Sequence, residues 1–326
     1  MIVVTGGAGF IGSALVWALN KQGRKDIIVV DEANLSDEKK QNLSHLKLKD
    51  YLDKDPFIEK IRRSGLMATK KTEAVIHMGA CSDTTETNEQ FLMENNYEYT
   101  KTLCKYCLNN KVRFIYASSA ATYGDGSKGY SDSEQIIDRL KPLNLYGKSK
   151  QLFDKWAKDN KLLDKIVGLK YFNVFGPNEY HKGEMRSVVL KAYQQIKATG
   201  KMRLFKSYRA EYADGEQKRD FLYIKDAVDM TLFFLDRLEV NGIFNVGSGI
   251  GQPWNELANA IFKALGKKPD IEYFDMPEEL KERYQYFTQA DISKLRNAGY
   301  DKSITPLEES VRDYVQNYLI PHSHLA

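Results

Sequence analysis

Through the first half of the chain, short apolar runs alternate with longer amphipathic stretches, the pattern of a doubly wound parallel sheet. Residues 2–5 read as a strand. Residues 8–22 read as a helix, because Phe10, Ile11, Ala14, Leu15, Ala18 and Leu19 recur at helical spacing. A second strand covers 27–30 and ends on Asp31; a polar stretch with Lys39, Lys40 and Lys54 follows. Residues 74–77 form the next strand and lead into Met78-Gly79-Ala80. The spacing then predicts a helix over 90–108, a strand over 113–117 closed by Ser118-Ser119, a helix over 146–159 and a strand over 166–171.

The second half is less regular. Helices are predicted over 185–198, 224–238, 253–265 and 306–319, and strands over 202–205, 221–223 and 243–246. The segment 206–218 is polar and loop-like. Thr305 with Glu308 has the form of a capping box before the last helix. Residues 320–326, with His322 and His324, read as a loose tail.

A chain of 326 residues is long enough for two lobes. Its apolar content can fill a real core, and no stretch approaches 18 uninterrupted apolar residues, so no membrane span is expected. No charged leader precedes an apolar stretch at the start, so no secretory signal is expected either. The net charge of +4 is spread among interspersed acids and bases, without the basic stripe of a nucleic-acid binder. Three cysteines, Cys81, Cys104 and Cys107, make no disulfide framework and fit a reducing compartment. Cys104-x-x-Cys107 lacks a second Cys or His pair at metal spacing, so it reads as two small apolar residues on one helix face, and no metal is expected.

Two features carry chemistry. Between the first strand and the first helix stands Thr5-Gly6-Gly7-Ala8-Gly9-Phe10-Ile11-Gly12. Gly6, Gly9 and Gly12 let the backbone turn tightly and approach a pyrophosphate, while the helix N-terminus supplies free N–H groups. An acid follows about 20 residues later, at Asp31, where a carboxylate can accept bonds from ribose hydroxyls. Asp31 favours NAD; Lys39 and Lys40 nearby favour NADP by pairing with a 2′-phosphate, and the residues leave both open. The second feature is Tyr146-Gly147-Lys148-Ser149-Lys150. On a helix, Tyr146 and Lys150 share a face. A tyrosine titrates near about pH 10, and a neighbouring ammonium is expected to lower that value and make the phenol a usable proton carrier. Ser119, at the carboxyl end of a parallel strand, is placed to bond the reacting oxygen. Together these features point to redox chemistry at a carbinol or carbonyl carbon.

The Gly motif, Ser118-Ser119, Tyr146 and Lys150 resemble the extended short-chain dehydrogenase/reductases of the NAD-dependent epimerase/dehydratase family. More narrowly, several strings resemble the ADP-L-glycero-D-manno-heptose 6-epimerases, which complete the heptose precursor of lipopolysaccharide core. They are Gly79-Ala80-Cys81-Ser82, the run 117–124, Tyr171-Phe172-Asn173-Val174-Phe175-Gly176-Pro177, His181-Lys182-Gly183, Lys218-Arg219-Asp220-Phe221, Arg283-Tyr284-Gln285 and Phe287-Thr288-Gln289-Ala290-Asp291. The resemblance runs from residue 1 to about residue 319.

That resemblance implies NADP, a cytoplasmic location and a homo-oligomer, with a pentamer suggested. It implies cofactor contacts at Phe10, Ile11, Asp31, Glu32, Lys39, Lys54, Met78, Gly79, Ala80, Cys81, Ser82, Asn95, Lys150 and Val174. It implies ADP-sugar contacts at Asn173, Lys182, Glu184, Lys191, Phe205, Lys206, Ser207, Tyr208, Arg219 and Tyr284. Lys182 matches a second catalytic group that complements Tyr146: inverting C6 removes a hydride to give a carbonyl and returns it to the other face, and two groups can each serve one epimer. From the residues alone, Lys182 also reads as a surface lysine or a diphosphate clamp, and Arg219 as a bidentate phosphate ligand or a rim salt bridge. Two departures stand out: Glu184 replaces the usual Ser, and the 206–218 loop is several residues longer.

The reading divides the chain into an α/β, Rossmann-like NADP-binding domain over 1–170, rejoined by 219–247, and a smaller α/β substrate domain over 171–218 and 248–319. Three rivals compete with the heptose reaction. Sugar-nucleotide 4,6-dehydratases carry an Asp-Glu pair where this chain has Ala120 and Ala121. A UDP-sugar 4-epimerase would not need Lys182. A non-catalytic dinucleotide sensor would need none of Ser119, Tyr146 and Lys150.

Overall fold

The computed structural model describes residues 1–64, 72–281 and 284–326; Arg283, one of the residues that carry the resemblance, lies outside the described residues. The chain begins β1 (Ile2–Thr5), α1 (Phe10–Lys21), β2 (Ile27–Asp31), α2 (Asp37–Leu43), β3 (Asp50–Asp53), α3 (Lys54–Ser64) and β4 (Ala74–His77). Next come α4 (Glu89–Leu92), a π-helical turn Met93–Glu98, α5 (Tyr99–Asn109), β5 (Arg113–Ser119), α6 (Leu145–Asp159) and β6 (Val167–Tyr171). After β7 (Asn173–Phe175) follow α7 (Val188–Thr199), β8 (Met202–Phe205), β9 (Lys218–Tyr223), α8 (Ile224–Asp236) and β10 (Gly242–Val246). The last elements are β11 (Gly251–Pro253), α9 (Trp254–Ala264), β12 (Ile271–Phe274), α10 (Glu278–Lys281), α11 (Ser293–Asn297) and α12 (Leu307–Tyr314).

Seven strands form one parallel sheet in the order β10-β6-β5-β4-β1-β2-β3. The order reverses between β1 and β4, and a crevice opens at such a switch point beyond the strands' carboxyl ends. Strand alternation divides the core into two layers. Ile2, Val4 and Ile76 face α1 and α8, packing with Leu15, Leu19 and Phe234. Val3, Val75 and Phe114 face the opposite side, against Phe57, Leu103 and Phe153. Burial on both faces is why these strands read as continuous apolar runs.

Beside the large sheet lie a three-stranded sheet, β11-β9-β7, and a two-stranded one, β12-β8. Only Phe172 separates β6 from β7, and the chain rejoins the large sheet through α8 and β10.

Four local expectations change. The polar stretch after Asp31 holds α2, β3 and the start of α3; β3 is a half-exposed edge strand and needs no apolar run. The helix expected over 90–108 is interrupted by the π-turn, where buried Asn96 turns its amide onto Cys81 and Ser149. No capping box forms at α12: Pro306 occupies the cap, Thr305 donates its hydroxyl to Asp226, and Glu308 pairs with Lys263. The segment 320–326 is not loose. Leu325 is buried, its N–H bonds Asn178, and the carbonyl of Ala326 accepts from Trp17.

Candidate active site

A cleft of about 620 Å³ lies at the switch point. Its floor is the turn after β1. Gly6 has φ +64°, and a Cβ there would sit 2.6 Å from the Gly79 nitrogen. A Cβ on Gly12 would sit 2.1 Å from the Gly6 carbonyl oxygen. Turn, helix start and the loop after β4 are thus in backbone contact, which only glycine permits. No side chain caps α1, so its first N–H groups are open to an anion. This cradle and the acid at the end of β2 fit a dinucleotide.

Asp31 accepts from the Ala8 N–H at 2.9 Å and from Lys39 Nζ at 3.2 Å; Lys39 also reaches Glu32 at 2.9 Å. Burial pulls the Lys39 ammonium down, but the two carboxylates outweigh it and hold its pKa above the ordinary value. Beneath the cradle, Gly79 N–H donates to Thr5 Oγ1 at 3.2 Å and Thr5 Oγ1 lies 2.6 Å from His77 Nδ1. His77 Nε2 lies 2.9 Å from Thr100 Oγ1, which donates to the Asn96 carbonyl. The donors run in one direction if Nδ1 accepts and Nε2–H donates, so a single neutral tautomer satisfies the chain. Burial, aided by the Lys150 charge, depresses His77 to about 3 and keeps it neutral.

The opposite end is built from β5 and α6. Asn144 caps α6 through the Gly147 N–H, which sets the register of Tyr146, Lys150 and Asp154 along one helix face. Lys150 Nζ donates to the Ala117 carbonyl at 2.9 Å. Asp154 anchors the end of β5: it accepts from Tyr116 at 2.9 Å, from Ser118 at 2.7 Å and from Lys170 at 2.8 Å. The Asp154–Lys170 pair is fully buried, and Lys170 is the one charged residue of the otherwise apolar strand β6.

The expected lowering of the Tyr146 pKa does not occur. Burial raises the Tyr146 phenol above its ordinary value, with the Ser119 hydroxyl opposing. Burial also lowers Lys150 to about 8, against the pull of Asp154 and Cys81. The Lys150 ammonium is spent on a carbonyl and is itself desolvated, and burial keeps the resting phenol protonated.

The cleft gathers Ser119, Tyr146, Lys150 and Lys182 with Gly6, Gly9, Phe10, Ile11, Gly12, Asp31, Glu32, Lys39, Lys54, Met78, Gly79, Ala80, Cys81, Ser82, Asn95 and Val174. Lys182 sits 5.4 Å from the centre of the Phe10 ring, and burial lowers its pKa against the pull of Glu179. Asp83, Phe91, Tyr99 and Met185 line the cleft too, and no motif marked them.

The remaining expected sugar contacts lie elsewhere. Asn173 is exposed on β7. Glu184 is exposed and pairs with Lys191. Arg219 is buried between aromatic rings, 5.6 Å from the Trp254 ring centre and 5.1 Å from that of Tyr284. Phe205 packs against Tyr284. Lys206 and Tyr208 both engage Asp275, and Ser207 N–H bonds Asp214. Trp254, which also donates to the Tyr284 hydroxyl at 3.0 Å, had no motif to mark it. Cys104 and Cys107 are buried free thiols on α5. Among the described residues no group of three or more His, Cys, Asp or Glu could hold a metal, and no helix is long and apolar enough to cross a membrane.

The model of the NAD dependent epimerase/dehydratase family matches residues 2–247, three quarters of the chain and all the cleft-forming strands. The chain belongs to that family. It is 54% identical over 319 residues to the ADP-L-glycero-D-manno-heptose-6-epimerase of Nitratidesulfovibrio vulgaris, covering 98% of each chain. It is 49% identical over 331 residues to the enzyme of the same name from Fusobacterium nucleatum, again covering 98% of each. Among solved structures, the Helicobacter pylori ADP-L-glycero-D-manno-heptose-6-epimerase matches with a TM-score of 0.79 at 28% identity, over 97% of this chain and 95% of that one. Ala120 and Ala121, which follow Ser119, carry no acidic or basic group.

Proposed function

We propose that this protein epimerises C6 of ADP-D-glycero-D-manno-heptose to the L-glycero form by transient oxidation and re-reduction, in lipopolysaccharide core precursor synthesis. The observation that carries the reading is Lys182, an amine lining the same cleft as Tyr146 from a different segment of chain. C6 of the heptose bears C5 and C7, so its oxidation gives a ketone that can turn about the C5–C6 bond before reduction. A bound nicotinamide would supply the hydride acceptor and donor for C6. The cradle at Gly6, Gly9 and Gly12 would hold the pyrophosphate, and Lys150 the nicotinamide ribose. Ser119 donates to the C6 oxygen. Lys182, pushed by burial toward its neutral form, takes the C6 hydroxyl proton from one epimer. Tyr146, held protonated by burial, gives a proton to the oxygen of the other. Reversal exchanges the two roles.

NADP is the preferred cofactor in this reading, with NAD possible: Lys39 is a strongly held cation at the ribose end, though Asp31 and Glu32 already engage it. Arg219, backed by Trp254 and Tyr284, is the diphosphate ligand of the ADP-sugar, and Asn173, Lys191, Phe205, Lys206, Ser207 and Tyr208 are further candidates. The protein works in the cytoplasm as a homo-oligomer, with five copies suggested by resemblance alone.

Purified protein supplied with NADP and ADP-D-glycero-D-manno-heptose should bring the two epimers to equilibrium, read by proton NMR. In deuterated water, C6 should gain no deuterium, because the hydride returns internally. Failure to interconvert the heptoses, with conversion of UDP-glucose to UDP-galactose instead, would establish the 4-epimerase alternative. Failure of both, with dinucleotide still bound, would favour the sensor.

A further inference from the structure

Lys182 sits in the middle of a loop whose two ends meet on one carboxylate. Glu179 is fully buried. Its Oε1 accepts from the Gly176 N–H at 3.3 Å, the Ser187 hydroxyl at 2.6 Å and the Tyr314 hydroxyl at 3.0 Å; its Oε2 accepts from the Ser187 N–H. Gly176 and Ser187 flank the loop, and Tyr314 belongs to α12. Residues on either side of Glu179 add anchors. Asn178 donates to Ser13 on α1 and accepts from Leu325 N–H, both at 3.0 Å. Tyr180 donates to the carbonyls of Tyr318 and Ser323. The Lys182 N–H then bonds the Glu179 carbonyl at 3.1 Å.

We propose that Glu179 is a positioning residue: its carboxylate closes the 176–187 loop against α12 and so aims the Lys182 amine into the cleft. The proposal rests on the reading of Lys182 as an acid/base group. Its chemistry is specific to a carboxylate. Each of the two oxygens accepts a backbone N–H, and a backbone donor cannot turn round to accept. A carboxamide presents one NH₂, which in either orientation faces the Gly176 or the Ser187 N–H. Glutamine of the same shape therefore cannot close the loop. Aspartate keeps both acceptors but loses a methylene of reach.

The test compares Glu179→Gln, Glu179→Asp and Tyr314→Phe with the parent protein. For Glu179→Gln, kcat should fall on the order of 10–100-fold, since about 1 Å of misplacement carries that cost, while KM and NADP affinity change less than about threefold. Glu179→Asp should recover part of kcat. Tyr314→Phe removes one of four donors without burying a new charge, folds more readily, and should lower kcat a few-fold. A second readout does not use turnover: acylation of Lys182 by a small amine reagent, followed by mass spectrometry of its peptide, should run several-fold faster in Glu179→Gln. Unchanged kcat and unchanged Lys182 labelling in both Glu179→Gln and Tyr314→Phe would overturn the proposal. So would a loss of NADP affinity as large as the loss of kcat, which marks general unfolding of the cleft. If Lys182→Met keeps normal turnover, the two-group reaction is wrong, and the labelling comparison still decides whether Glu179 holds Lys182 in place.

Discussion

The proposed dinucleotide end and the proposed sugar end of the molecule hold their polar groups by different means. At the dinucleotide end, parallel strands stop along one line, and the residues just beyond β1, β2, β4 and β5 meet in one cleft whatever their distance in sequence. Its turn is set by glycines with no room for a Cβ. At the sugar end, Arg219, Phe205, Trp254 and Tyr284 come from different strands, a helix start and a loop, and they are organised by ring stacking. The first arrangement follows from sheet topology. The second is a packing solution that can change its specificity without disturbing the sheet.

The sharpest way to break the comparison is to remove the groups where the two ends meet. Tyr146→Phe and Lys182→Met should each lower kcat by about 10²–10⁴-fold, with the fold and dinucleotide binding retained. Near-normal turnover in Lys182→Met would rule out a two-group mechanism.

The sheet end should be less forgiving of internal charge changes. Lys170→Met strands the buried Asp154 carboxylate beneath Ser118 and should cost about 3–5 kcal/mol in urea unfolding. A loss below about 1 kcal/mol would show that Asp154 had simply taken up a proton or a water at little expense.

The Lys150 titration sharpens the same contrast through pH. Its folded-state pKa is depressed to about 8 from 10.5. Between those values the unfolded chain carries the proton and the folded one does not, so unfolding free energy rises with pH across that window. The contribution is a few kcal/mol at most, given about 1.4 kcal/mol per pKa unit. Subtracting the curve of Lys150→Met from that of the parent should isolate the rise; a difference curve flat between pH 8 and 10.5 would contradict the depressed value.

At the sugar end, Arg219→Ala should raise the KM for ADP-heptose about tenfold or more, in line with loss of a charge-assisted bidentate contact. NADP affinity should hardly move, and an equal loss of both would place Arg219 in the wrong half. The smallest effect is expected at Lys39→Ala, a few-fold loss of NADP preference over NAD measured by calorimetry, because Asp31 and Glu32 already share that ammonium. A preference that survives intact would move 2′-phosphate recognition elsewhere.

The elements with strong periodicity were legible: the doubly wound sheet, the glycine turn, Asp31, and the Tyr146–Lys150 face all stand where apolar spacing and motif placed them. Less legible were features without a local signal. Strand β3 is an edge with an acid at each end, so it carries no apolar run. The π-turn depends on Asn96 reaching Cys81 across the chain. Thr305 had the right neighbours for a cap, but Asp226 competed for its hydroxyl. Residues 320–326 looked unattached because their partners, Trp17 and Asn178, are far away in sequence. Lys170, a charge inside an apolar strand, was a signal for a buried partner, although nothing local named Asp154.

Alternation of short apolar runs with amphipathic helices determines the sheet, and the sheet determines which residues share its carboxyl edge; both follow from backbone periodicity acting over a few residues. Protonation states and aim were decided only in three dimensions. Desolvation raises the Tyr146 phenol, and a single carboxylate at Glu179 collects donors from both ends of a loop and from a distant helix. Burial and long-range hydrogen bonding depend on everything packed around a group, and no stretch of sequence carries that information alone.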